Sequence, residues 1–144
     1  MSSSYVDTSA LAKWYLNEPR SEDFEAFVIR HRSVAISRLT VVEFRCLLAR
    51  RRRAGEVSAR MEKRVFETFE NDMRQGAVVV HALEDRHAAA AVELISSLPK
   101  HPLRTLDALH LAVARDLGAG LIATADRVMA AAADALGLQV ARFD

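Results

Sequence analysis

Five short runs of β-forming residues are spaced along this chain, and each is separated from the next by sequence of helical composition. The runs are SYV near Tyr5, SVAIS around Val34, AVVVH from Ala77, GLIAT from Gly120 and QVARF from Gln139. Strands linked through helices pair in parallel, because a parallel pair needs a crossover of a dozen residues or more. A parallel sheet in turn needs cover on both faces. The chain therefore reads as α/β, with a small, mainly parallel central sheet of about five strands between two helical layers. Helices are predicted over Ser9 to Leu16, Ser21 to His31, Leu39 to Arg53, Glu56 to Gln75, Asp85 to Leu98, Thr105 to Leu117 and Arg127 to Leu136. Pro99, Gly118 and Gly137 close the last three.

Length is consistent with one domain over 1–144, since a chain of about 150 residues buries roughly 70% of its unfolded surface. With 51% hydrophobic and 27% charged residues and a single cysteine, no disulfide framework is called for. Cys46 is expected as a small core residue. The start MSSSYVD lacks a basic segment followed by an apolar run, and no stretch approaches ~18 consecutive apolar residues, so a cytoplasmic protein without membrane contact is expected. The net charge of +1 gives no global sign of a polyanionic partner. Any such contact has to come from local patches.

In a sheet of this kind ligands bind beyond the carboxyl ends of the strands, where helices begin. Asp7 follows the first strand in YVDTSAL, and Asp126 follows the GLIAT strand in TADRV. Glu43 shares a helical face with Leu39, Cys46 and Leu47, a face predicted to look inward. Asp107 shares one with Leu103, His110, Leu111 and Ala114, while Arg115 and Asp116 reach water. The three aspartates also lie near helix starts, where Ser9, Thr105 and Thr124 are candidate caps and negative charge suits the helix dipole. Capping alone explains each of them singly.

Joint placement is harder to explain that way. Two like charges about 4 Å apart repel by ~4 kcal/mol near a protein surface, several times what a cap contributes. Such a group persists if it takes up protons or binds a cation, and oxygen ligands favour Mg²⁺ or Mn²⁺ over zinc. The five histidines lack the spacing of a zinc site. His110 is expected as a packed or hydrogen-bonded partner of Asp107, one turn away.

Four blocks in order, YVDTSALAKWYLNE, SRLTVVEFRCLLAR, RTLDALHLAVARDLGA and LIATADRVMAAAADALGLQV, resemble the PIN domain family, in particular toxin ribonucleases of the VapBC toxin–antitoxin type. The resemblance spans nearly the whole chain and implies a PIN-like three-layer α/β/α fold. It further implies an acidic site of Asp7, Glu43, Asp107 and Asp126 that holds Mg²⁺ or Mn²⁺ and hydrolyses RNA phosphodiesters, together with a homodimer and a VapB-like antitoxin partner. The stretch from Ala54 to Leu98 carries no matching motif. Ser9 and Thr124, each two residues from an aspartate, are candidates to hold a carboxylate or a ligand water in place.

Because an acidic pocket repels RNA, basic groups should border it; Lys13, Arg38, Arg104 and Arg127 are adjacent in sequence to the four blocks. The run Arg50 to Arg53 lies at the far end of its helix, where cations complement the dipole and a solvated end is the usual explanation, with RNA contact the alternative. Trp14 and Tyr15 fit packing, or stacking on unpaired bases. Exposed aromatics such as Trp14 or Phe24 would suit the groove in which antitoxins of such toxins lie. Two other readings remain open from the residues: a catalytically silent module of the same fold that binds RNA or protein, and a phosphoryl-transfer enzyme with Asp7 as nucleophile. The second is weakened by the segment DTS, which has no second aspartate two residues on, and by the lack of a phosphate-cradling glycine loop.

Overall fold

The computed structural model describes residues 3–144. Its chain order is β1 (Ser4–Val6), α1 (Thr8–Tyr15), α2 (Ser21–His31), β2 (Val34–Ser37), α3 (Arg38–Arg53), α4 (Ala59–Gln75), β3 (Val78–His81), α5 (Asp85–Ser97), α6 (Thr105–Asp116), β4 (Leu121–Thr124), α7 (Arg127–Ala135) and β5 (Gln139–Arg142). All strand pairs are parallel, in the order β3-β2-β1-β4-β5. From β1 the chain steps outward through β2 and β3, then crosses back to place β4 on the other side of β1. That reversal makes β1 the centre of the sheet and opens a crevice at its carboxyl end.

Alternation along the strands sorts side chains between two cores of different character. Val6, Val34, Ile36, Val78 and Ala123 face α1 to α4, together with Phe24, Phe27, Phe44, Phe69 and Phe143. Tyr5, Ala35 and Ile122 face α5 to α7, where the buried helix residues are mostly alanine: Ala91, Ala108, Ala112, Ala114, Ala132 and Ala133. All six phenylalanines belong to the first layer, since Phe66 packs against the same cluster. One layer is built from large rings and the other from close helix approach.

Several expectations need correction. Helix α1 starts at Thr8 because Asp7 itself is the cap, and α4 starts at Ala59 because the Ser58 hydroxyl accepts the Met61 amide at 3.0 Å. The inward face of α3 is Thr40, Phe44 and Leu48, so Cys46 is exposed rather than in the core. Phe24 is fully buried against Phe143, which removes it as an exposed aromatic; Trp14 is half-buried. The turn from α4 to β3 uses Gly76 at φ 81°, a left-handed conformation that glycine adopts without the Cβ clash of other residues.

Candidate active site

Strand β1 ends at Val6, yet its pairing to β4 continues one residue further: the Asp7 amide donates to the Ala123 carbonyl at 3.1 Å. Asp7 is thereby held at the sheet edge with its side chain at the start of α1, only 4% exposed. Asp126 occupies the equivalent place after β4, capping α7 by accepting the Val128 and Met129 amides at 2.8 and 3.0 Å. These two residues flank the point where the strand order reverses. Glu43 reaches it from α3 and Asp107 from the first turn of α6, so all four carboxylates line one cleft of about 390 Å³.

The hydroxyls near the aspartates are not helix caps. Ser9 donates to Asp7 Oδ1 at 2.7 Å and accepts the Ala125 amide; Thr124 donates to Asp7 Oδ2 at 2.6 Å and accepts the Asp126 amide. Thr124 thereby ties the Asp7 carboxylate to the Asp126 backbone, and Ser9 ties it to the neighbouring Ala125 backbone. With the Ala10 amide also bound at 3.1 Å, Asp7 has both oxygens occupied. Burial nevertheless raises its pKa above the ordinary carboxylate range, because these bonds and the nearby His110 only partly offset the lost hydration.

Glu43 behaves in the opposite sense. Burial favours its neutral form, but His110 donating to it, the Thr8 hydroxyl at 2.7 Å and the Arg50 charge outweigh that and lower its pKa. His110, buried at 3% exposure, thus partners Glu43 and not Asp107 as the sequence led us to expect. Its other ring nitrogen meets the Tyr5 hydroxyl at 2.7 Å, and Tyr5 donates to Ser37 at 3.0 Å. Asp107 accepts the Arg104 amide at 3.1 Å; burial first and the charge of Asp126 next raise its pKa.

The oxygens left over define what the cleft can bind. Glu43 takes both protein bonds on Oε1, Asp126 on Oδ1 and Asp107 on Oδ2, so each presents one further oxygen without a protein donor. Such an all-oxygen donor set fits a hard divalent cation. Among the described residues, no three carboxylates or imidazoles close into a ligand cage.

The candidate basic residues separate. Arg104 lines the cleft. Lys13 pairs with Glu18 at 3.7 Å, Arg127 with Asp144 at 3.2 Å, and Arg38 lies in a groove with Glu70 and Arg74 beside β3. Sequence adjacency missed Thr8 and Arg50, which do line the cleft. Arg50 was legible: it lies seven residues, two helical turns, from Glu43 and hence on the same face.

Comparison with known proteins follows the same architecture. Residues 4–135 match the PIN domain family. Ribonuclease VapC46 of Mycobacterium tuberculosis is 30% identical over 143 residues, covering 97% of each chain. Among solved structures, M. tuberculosis VapC20, described as a sarcin-ricin loop cleaving toxin, superposes with a TM-score of 0.72 at 22% identity, over 90% of this chain and 95% of that one. DNA-bound VapBC from Salmonella typhimurium gives 0.71 at 17% identity over the full length of both.

Proposed function

Because this chain belongs to the PIN domain family, we propose that it is the toxin of a VapBC-type toxin–antitoxin pair, an endoribonuclease that hydrolyses phosphodiester bonds of single-stranded or loop RNA with Mg²⁺ or Mn²⁺. The observation that carries this reading is the meeting of Asp7, Glu43, Asp107 and Asp126 in one cleft at the carboxyl end of the central strand. Those four residues would hold the cation. When bound, it supplies a Lewis acid that neutralises phosphate charge and lowers the pKa of water toward the physiological range.

This chain's own residues do the positioning. Ser9 and Thr124 fix the Asp7 carboxylate, and His110 with Thr8 fixes Glu43, so neither has to be ordered when substrate arrives. Arg104, at the start of α6, stands at the rim where a phosphate would pass. The similarity to ribonuclease VapC46 and to a VapBC complex supports the nuclease and a VapB-like antitoxin as partner. A homodimer acting in the cytoplasm completes the reading.

The test is cleavage of a labelled single-stranded RNA by the purified protein, with Mg²⁺ or Mn²⁺ and with excess chelator, beside Asp7→Asn. Cutting that needs the cation and disappears in the variant is the expected result. An Asp7→Asn protein as active as the parent would remove the acidic site from the mechanism.

A further inference from the structure

Four consecutive arginines end α3, and the structure gives them different tasks. Arg51 is tied to Glu18 and Glu56, and Arg52 to Glu62 at 3.7 Å. Arg53 does not line the cleft. Arg50 does line it, is exposed, and makes no ion pair among the described residues. A guanidinium that stays solvated beside four carboxylates, while its neighbours pair off, has its five donors available to a ligand.

Its position relative to Arg104 gives that availability a direction. Arg50 belongs to α3, in the phenylalanine-rich layer, and Arg104 precedes α6, in the alanine-rich layer. The two guanidiniums therefore border the acidic cleft from opposite layers. A chain of phosphates crossing the cleft passes the carboxylates in the middle and meets a cation on each side. We propose that Arg50 is a substrate-positioning residue that binds a backbone phosphate of single-stranded RNA across the cleft from Arg104. This rests on the ribonuclease reading above and extends it to a residue on α3. The competing possibility is that Arg50 only balances the charge of Glu43, toward which it does exert a coulombic pull.

The experiment measures equilibrium binding, not cleavage. A short labelled mixed-sequence single-stranded RNA is titrated with Asp7→Asn protein in Mg²⁺ over a series of NaCl concentrations. Arg50→Gln, Arg50→Lys and Arg51→Gln are each added to that background. Losing one phosphate contact to single-stranded RNA lowers the slope of log K against log salt by about 0.7. Arg50→Gln should show that loss and bind several-fold more weakly, Arg50→Lys should recover the slope, and Arg51→Gln should match its parent. Mn²⁺ affinity is read by electron paramagnetic resonance on Arg50→Gln made in the otherwise unaltered protein, with Asp7 intact and no RNA present. An unchanged RNA slope with altered Mn²⁺ affinity in Arg50→Gln would overturn the proposal in favour of charge balance. An unchanged slope with unchanged Mn²⁺ affinity would overturn it too. If the Asp7→Asn parent itself does not bind RNA, the ribonuclease reading fails and this inference falls with it, an outcome distinct from a parent that binds while Arg50 is indifferent.

Discussion

Asp7 carries the sharpest conflict between stability and chemistry at the scale of a single residue. Its pKa is raised by burial, so between the unfolded and the folded value the native state holds more protons than the unfolded state. Stability must then fall as pH rises through that window. In the presence of chelator, Asp7→Asn is expected to be at least as stable as the parent at pH 7, with a flatter pH dependence above pH 4. Denaturant melts of the two proteins at pH 5 and pH 7 check this; a parent that gains stability relative to Asp7→Asn as pH rises would contradict it. The hydroxyls that serve Asp7 were legible as residues two positions from an aspartate. Which carboxylate each would hold was not, because Thr124 meets Asp7 only when β1 and β4 lie side by side.

Among the elements, the two helical layers should fail in opposite ways. Phe69 is fully buried on α4 and stacks edge-on against Phe44 and Tyr15. Truncating a ring in such a cluster opens a cavity, so Phe69→Ala is expected to cost about 3–5 kcal/mol and to lower Tm by on the order of 10 °C. Ala132, also fully buried, sits where α7 packs into the alanine-rich layer. There the vulnerable change is enlargement, and Ala132→Leu should cost about 1–3 kcal/mol through overpacking. Calorimetry of both variants reads these effects directly. The element count and the parallel sheet were visible in the alternation of β-forming and helical sequence. The division of labour between layers was not, because alanine runs explain themselves equally well by helix propensity. Cys46 shows the same limit: on α3 an apolar residue next to the core stripe was read as part of it.

For the whole molecule, the cleft depends on a strand order that reverses beside β1, and the proposed cation site is therefore a property of the folded state only. A ligand that binds the native but not the unfolded chain stabilises it by about 2.7 kcal/mol at a hundred times its Kd. Saturating Mn²⁺ should raise the Tm of the parent protein by several degrees and leave Asp7→Asn much less affected. A Tm that does not respond to Mn²⁺ or Mg²⁺ at any concentration would argue that the four carboxylates do not bind these ions.

Read alone, the sequence determined what periodicity and local chemistry can determine. It established the alternating elements, the helix stops at glycine and proline, and the positions of Asp7 and Asp126 just beyond strand ends. Tertiary structure alone decided which groups meet across long separations. His110 is one turn from Asp107 in the chain, yet it bonds Glu43, 67 residues away, because α3 and α6 come from opposite layers to the same crevice. Arg50 looked like one of four equivalent solvated arginines until Glu18, Glu56 and Glu62 took up two of its neighbours. The physical reason is that hydrophobic periodicity is written locally, whereas hydrogen bonds and ion pairs are short-ranged in space and indifferent to separation along the chain.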